Sequence, residues 1–258
     1  MAVADIDSSV LSAGAASAAD EALDALLTIR PGAPDARMAK LVVFDLDKTL
    51  VSNDTTVSWT NFLYDVGMTS DDFYRRLNEQ MVKDYRAGTL DIRSYYERAA
   101  GIVAGIPLST LVPLVDRFVE ERVAPLIYPA GVALMNRCRA RGIRACILSA
   151  SAGYLVRRVA LRFGLDPDAA LGVEFVEKNG ALTTELAGEP TFQEGKVARI
   201  TEWMAQRQLC AEDMLFYTDS RNDLPLCRAA ADACLVNPDP VLEAEGAKAH
   251  WRVLRWRL

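Results

Sequence analysis

The sequence predicts an α/β protein: a doubly wound, mostly parallel sheet with a helical cap inserted after the first core strand. Three observations carry this. Short apolar runs at residues 41–44, 143–148, 214–217 and 233–236 have the length of buried strands, and helix-length stretches separate them. Polar clusters stand at strand ends or helix starts, namely Asp45/Asp47, Ser149, Lys196 and Asp219/Asp223. Between residues 57 and 127 the pattern is helical throughout, as in a small bundle. In an open α/β sheet ligands bind beyond the carboxyl ends of the strands, so the four clusters are expected to converge on one crevice.

At 258 residues the chain can hold one such core plus a smaller inserted domain. Its 51% hydrophobic and 25% charged residues are those of an ordinary soluble protein. A net charge of −6 argues against nucleic acid or an anionic membrane surface as partner. No apolar run reaches the length of a membrane span, and the N-terminus lacks the pattern of a signal peptide. The five cysteines show no C-x-x-C spacing, which suggests a reducing compartment, and the expected location is cytoplasmic. His250, the only histidine, lies near the C-terminus; a Ser-His-Asp hydrolase, a histidine-ligated zinc site or a phosphohistidine mechanism would all rest on it.

Taken in order, residues 1–37 are rich in Ala, Ser and Asp and read as a mobile N-terminal extension. Residues 18–29 have helical spacing that Pro31, Gly32 and Pro34 stop, and Met38 is a candidate translation start. The core is expected at 38–55 and 128–258, the cap at 56–127. Residues 51–55, after the Asp-rich turn, read as a tight flap. In the cap, Trp59, Phe62, Leu63 and Val66 form one stripe ended by Gly67. Ser70 is the expected N-cap of a second helix, which carries Phe73, Leu77, Met81 and Tyr85 and stops at Gly88. Two more helices are expected at 92–103 and 108–126.

The core resumes with a helix opened by Pro129, then the strand at 143–148, with Ser149-Ala150-Ser151 at its end. A helix at 154–163 stops at Gly164. Residues 173–176 and 181–186 flank Asn179-Gly180, a type I′ hairpin signal. Gly195-Lys196 opens a helix through Gln206, and the strand at 214–217 runs into Thr218-Asp219-Ser220-Arg221-Asn222-Asp223. The segment with Trp251 and Trp256 reads as a last edge strand and tail.

The residue types define a chemistry. Asp45 and Asp47, one residue apart after a buried strand, either form an Asp-rich turn or share a cation. With Asp219 they make an oxygen-only set that suits Mg2+, which takes one or two carboxylates and keeps sites for water and phosphate. Ser149 can donate to a phosphoryl oxygen beside the N–H groups of the next helix. Lys196 supplies a point charge for the transferring group. An aspartyl-phosphate is then chemically reasonable, and Asp47 can protonate the leaving alkoxide and later activate water.

In this order the motifs Asp45-Leu46-Asp47-Lys48-Thr49, Ser149, Lys196 and Asp219-Ser220-Arg221-Asn222-Asp223 resemble those of the haloacid dehalogenase superfamily of phosphatases. The branch they resemble is subfamily IB, that of phosphoserine phosphatase and histidinol phosphatase, whose helical cap lies between the first two motifs. The resemblance covers roughly residues 39–240 and implies a Mg2+-dependent phosphatase acting on a small-molecule phosphate ester. By position it makes Asp45 the nucleophile and a metal ligand, and Asp47 the general acid/base, ligating through its carbonyl. Ser149, Ala150 and Lys196 would hold the phosphoryl group, with Thr49 supporting the loop. Asp219 would be a metal ligand, and Asn222 and Asp223 would order the metal and Lys196. There are two departures from the pattern: Lys48 stands where Gly or Ser is usual, and Ala150-Ser151 replaces Gly-Gly.

The resemblance also bears on the substrate. An acid nine positions past the nucleophile holds the substrate amine in phosphoserine phosphatases, and Asp54 stands there; it reads equally as a cap for the following helix. The cap arginine that grips a substrate carboxylate falls at Ala99, with Arg98 about 100° away on the helix. That favours an amine-bearing ester without a carboxylate, such as histidinol phosphate, over phosphoserine. A phosphotransferase or phosphomutase would use the same aspartyl-phosphate, and fold alone would permit a non-catalytic regulatory protein.

Overall fold

The structure is a computed structural model that describes residues 13–258. Helix α1 (Ala13–Leu26) leads into a two-stranded antiparallel ribbon, β1 (Thr28–Ile29) and β2 (Arg37–Met38). Strand β3 (Leu41–Phe44) then enters the sheet. The cap follows as α2 (Thr55–Asp65), α3 (Asp72–Ala87), α4 (Ile92–Ala99) and α5 (Leu108–Phe118), the last continued by a π-turn at Val119–Val123 and a 3-10 turn at Ala124–Leu126.

After the cap come α6 (Pro129–Ala140), β4 (Arg144–Ala152), α7 (Gly153–Ala160) and β5 (Ala170–Val173). A separate antiparallel hairpin, β6 (Phe175–Lys178) and β7 (Ala181–Leu186), turns at Asn179 and Gly180, both at positive φ as a type I′ turn requires. The chain closes with α8 (Glu194–Ala205), β8 (Met214–Thr218), α9 (Leu224–Ala229), β9 (Asp232–Val236), α10 (Pro240–Ala249) and β10 (Arg252–Leu254).

The main sheet is six parallel strands in the order β10-β9-β8-β3-β4-β5. From β3 the chain winds outward through β4 and β5, then returns to β8 on the other side and winds through β9 and β10. The switch of direction lies between β3 and β8, where the carboxyl ends of neighbouring strands part into a crevice. Strand period sorts the side chains: Val42 and Phe44 face the core shared with α6, α7 and the cap, whereas Leu41 and Val43 face Ile200, Trp203 and Met204 of α8. All four β3 side chains are fully buried, which is why this run reads as continuously apolar.

Several expectations need correction. The extension expected to be mobile packs against the core at residues 24–29. Leu27 and Ile29 are fully buried, the Tyr217 hydroxyl donates to the Leu26 carbonyl at 2.6 Å, and Asp24 receives Arg137 at 2.7 Å and also Arg141. The helical spacing of residues 18–29 gives no sign that Leu27 and Ile29 are seated in the core. The first twelve residues of that extension lie outside the described residues. Strand β4 runs beyond Leu148 to Ala152, so Ser149 sits inside the strand. Its pairing with β5 slips between Leu148 and Ala152, a bulge of the kind that re-aims side chains. Asp71, not Ser70, caps α3, accepting from the Phe73 N–H at 2.8 Å.

Candidate active site

The polar clusters meet at the crevice. The N–H of Asp45 still pairs with the Tyr217 carbonyl at 2.8 Å, so the first carboxylate leaves the sheet held by β8. Lys196 is the third residue of α8 and is only 1% exposed. Its Nζ donates to Asp45 Oδ1 at 2.7 Å and to Asp223 at 2.8 Å. Thr218 Oγ1 fixes Asp223 from the end of β8 at 2.6 Å. Gly195 lets α8 approach this closely, since a Cβ there would fall 2.0 Å from the Pro190 carbonyl oxygen.

Asp47 is held differently. Its Oδ1 accepts from the Thr55 N–H at 2.6 Å and its Oδ2 from the Ser151 hydroxyl at 2.6 Å. Ser151 Oγ in turn lies 2.9 Å from Thr55 Oγ1 and 3.0 Å from Thr56 Oγ1, so a chain of hydroxyls runs from the cap helix α2 to Asp47. Ser149 is fully buried; its Oγ accepts from the Ser151 N–H at 3.0 Å and lies 3.5 Å from Asp47 Oδ2. Behind this bulge stands Gly172 of β5. A Cβ there would sit 2.7 Å from both the Ser151 carbonyl oxygen and the Gly153 Cα.

The charges are out of balance. Burial pushes the Asp45 carboxyl above the usual range, against the pull of Lys196 and with help from Asp223 and Asp47. Asp47 is pushed up to about 6, chiefly by burial and then by the Asp54 charge. Asp219 is raised well above its ordinary value by burial and by Asp45, and among the described residues its one side-chain partner is the Thr49 hydroxyl at 3.4 Å. Burial works against the charge on Lys196, but Asp223 and Asp45 outweigh it and keep the ammonium protonated. One buried cation thus faces Asp45, Asp219 and Asp223, and the surplus of negative charge suits a divalent cation with oxygen ligands. Among the described residues no three His, Cys, Asp or Glu side chains converge into a complete cage. An oxygen site of two carboxylates completed by backbone, water and substrate matches what Mg2+ uses.

Four further hydrogen bonds close the cap over the crevice. The Tyr96 hydroxyl donates to the Ala150 carbonyl at 2.8 Å and the Tyr85 hydroxyl to Ser220 Oγ at 2.9 Å. Asn222 Nδ2 donates to the Tyr85 carbonyl at 3.1 Å and Arg221 Nη2 to the Ala87 carbonyl at 2.9 Å, capping the carbonyl-rich end of α3. What is left is a cavity of about 40 Å³ between Asp45, Asp47, Asp54 and the cap residues Tyr85, Leu90 and Tyr96. That is room for a few waters and less than a phosphate ester requires, so admitting one needs side chains or the cap to move.

Asp45, Asp47, Ser149, Lys196, Asp219 and Asp223 are therefore gathered in one place, and Thr49 lies beside Asp219. Asn222 instead turns its amide to the cap and to Gln193, which donates to it at 3.4 Å. Ala150 contributes its carbonyl to Tyr96. Asp54 lines the cavity and also caps α2, accepting from the Val57 N–H at 3.1 Å. Sequence reasoning passed over Ser151, Tyr85, Tyr96 and Arg221. Ser151 was accessible to it, since two hydroxyls spaced i, i+2 beside a bulge can both face one ligand.

Comparison with known proteins places these features in context. A family model described as haloacid dehalogenase-like hydrolase matches residues 42–228. The histidinol-phosphatase of Neisseria meningitidis serogroup C (strain 8013) is 29% identical over 223 residues, spanning 85% of this chain and 100% of that one. A protein with unknown function from Bordetella pertussis Tohama I has a crystal structure that aligns with a TM-score of 0.76 at 28% identity, covering 84% of this chain and 99% of that one. A phosphoserine phosphatase solved as a phospho-aspartyl intermediate analogue aligns with a TM-score of 0.60 at 18% identity, covering 85% and 94%, which shows a shared fold.

Proposed function

The chain belongs to the haloacid dehalogenase-like hydrolases, and it is as a phosphatase of that family that we propose it cleaves a small phosphate monoester with Mg2+ through a phosphorylated Asp45. The observation that carries this reading is the buried Lys196 ammonium shared by Asp45 and Asp223, with the separately held Asp47 across the same cavity. Lys196 engages Oδ1 of Asp45 and leaves Oδ2 for attack on phosphorus. As that P–O bond forms, the ester P–O bond breaks, and the departing alkoxide takes the proton of Asp47. Water then attacks the acyl phosphate, giving its proton to Asp47 and releasing phosphate and the Asp45 carboxylate. Burial keeps a proton on Asp47 more readily than in solution, which suits the first step. Ser149 and Lys196 would hold the phosphoryl oxygens. Mg2+ held by Asp45, Asp219 and the Asp47 carbonyl would offset charge on the transferring group.

For the substrate we favour an amine-bearing ester lacking a carboxylate, histidinol phosphate being the type. Asp54 offers a carboxylate on the cavity wall, while Tyr85, Tyr95 and Tyr96 offer flat apolar faces. No arginine is among the described residues lining that cavity, and Arg98 lies instead over the Phe73 ring at 5.2 Å. The relative named histidinol-phosphatase agrees with this choice.

The test is hydrolysis of an aryl phosphate and of a panel of natural esters, with and without Mg2+. Turnover that needs Mg2+ and disappears in Asp45→Asn is expected, with histidinol phosphate at least matching phosphoserine in kcat/KM. Turnover that survives Asp45→Asn would remove Asp45 from its role, and a strong preference for phosphoserine would overturn the substrate choice.

A further inference from the structure

Lys48 follows the two motif carboxylates in a left-handed conformation, φ +60°, that favours glycine. The side chain kept there reaches into the cavity. Its Nζ lies 3.9 Å from Asp54 Oδ2 and 5.6 Å from the centre of the Tyr85 ring. These are the two partners that a substrate ammonium would use, a carboxylate and an aromatic face. We propose that Lys48 is a resident counter-ion of Asp54, an internal stand-in for the substrate amine that an amine-bearing ester must displace.

This rests on Asp54 being the amine subsite. Both side chains are partly exposed, Lys48 at 44% and Asp54 at 27%, so their pairing is weak enough to be exchanged. Lys48 has four rotatable side-chain bonds and an open route to solvent, so an incoming ammonium can displace it and take the position beside Asp54 and Tyr85 in one movement. An ester without an amine gains nothing from Asp54 and leaves the pair intact, so Lys48 sets how much an amine is worth to this site.

The experiment compares kcat/KM for histidinol phosphate with that for its deaminated analogue, in wild type, Lys48→Met, Asp54→Asn and the double variant, with phosphoserine alongside. Removing the resident ammonium is expected to raise the amine preference about two- to fivefold, the scale of a surface ion pair, mainly through KM for the amine ester. Asp54→Asn is expected to abolish the preference, and adding Lys48→Met to it to change nothing further. Lys48→Gly, which removes the ammonium and suits the backbone, serves if the Met variant does not fold. A preference lost in Asp54→Asn but unchanged in Lys48→Met overturns the role of Lys48 alone. A preference indifferent to Asp54→Asn overturns the amine subsite beneath it. A fall in phosphoserine turnover on Lys48→Met, with the amine preference unmoved, would make Lys48 a carboxylate receptor and overturn the proposal.

Discussion

The Ser151 hydroxyl donates to Asp47 Oδ2 at 2.6 Å, from the middle of a strand bulge to the carboxyl group that the proposed mechanism has both give and take a proton. A hydrogen bond to the charged form favours that form, so Ser151 restrains a carboxyl that burial pushes upward.

Replacing Ser151 by Ala should therefore raise the pKa of Asp47 further. If a protonated Asp47 is needed for the first step, kcat/KM falls on the alkaline side as that proton is lost. In Ser151→Ala the alkaline limb is expected to move to higher pH, with the maximum reduced about tenfold or less because the hydroxyl also orients the acid. A pH profile of an activated aryl phosphate checks this. A limb that stays in place separates Ser151 from the proton on Asp47.

The surplus carboxylates make the metal-free protein sensitive to base. Burial raises Asp45, Asp47 and Asp219 above their unfolded values, near 4. The unfolded chain then releases these protons at lower pH than the folded one, so stability falls as pH rises from about 4 through the folded pKa values. Mg2+ should raise the melting temperature, and more at pH 8 than at pH 5. At 100 times its Kd the ligand contributes about 2.7 kcal/mol, and at this size each kcal/mol is worth roughly 2–4 °C. Asp219→Asn should melt higher than wild type without metal and lose most of the Mg2+ response. Thermal melts with and without chelator decide it.

At Asp24 the sign is reversed. The Arg137 guanidinium, then that of Arg141, holds this carboxyl well below its ordinary range. Its contribution is present above the unfolded value near 4 and is lost as pH falls through the folded one. Asp24→Asn should cost about 1 kcal/mol at pH 7, and the gap to wild type should close in acid. Removing residues 1–37 should cost several kcal/mol, since it uncovers the seats of Leu27 and Ile29 and strips the Tyr217 hydroxyl of its acceptor. Urea titrations measure both.

Much of the fold is legible in the sequence because it is locally encoded. Leu41–Phe44 is a four-residue apolar run buried on both faces, and Asn179-Gly180 states its turn type. Asp45, Asp47, Lys196 and Asp219 are legible because each abuts a strand end or opens a helix, and parallel topology brings those ends together. What is not legible is tertiary. Nothing near Tyr85 or Tyr96 says that their hydroxyls reach Ser220 and Ala150 across the cavity. Asn222 turns to the cap because the Tyr85 carbonyl at the end of α3 takes its amide beside the Gly88 N–H, a partner 137 residues away in the chain. The burial of Leu27 and Ile29 depends on a gap in the core that no local pattern reveals.

Gly172 sets the clearance behind the Ser149–Ser151 bulge. The whole arrangement of Ser149 and Ser151 is set from behind by a contact with no room for a methyl group. A Gly172→Ala variant would touch none of the reacting groups, yet it would have to lift the bulge by several tenths of an ångström. For anyone redesigning this enzyme the consequence is a division of labour. The cap surfaces that do not touch Asp47 or Ser151 are the ones open to rewriting, while the back wall of the sheet has to be left alone.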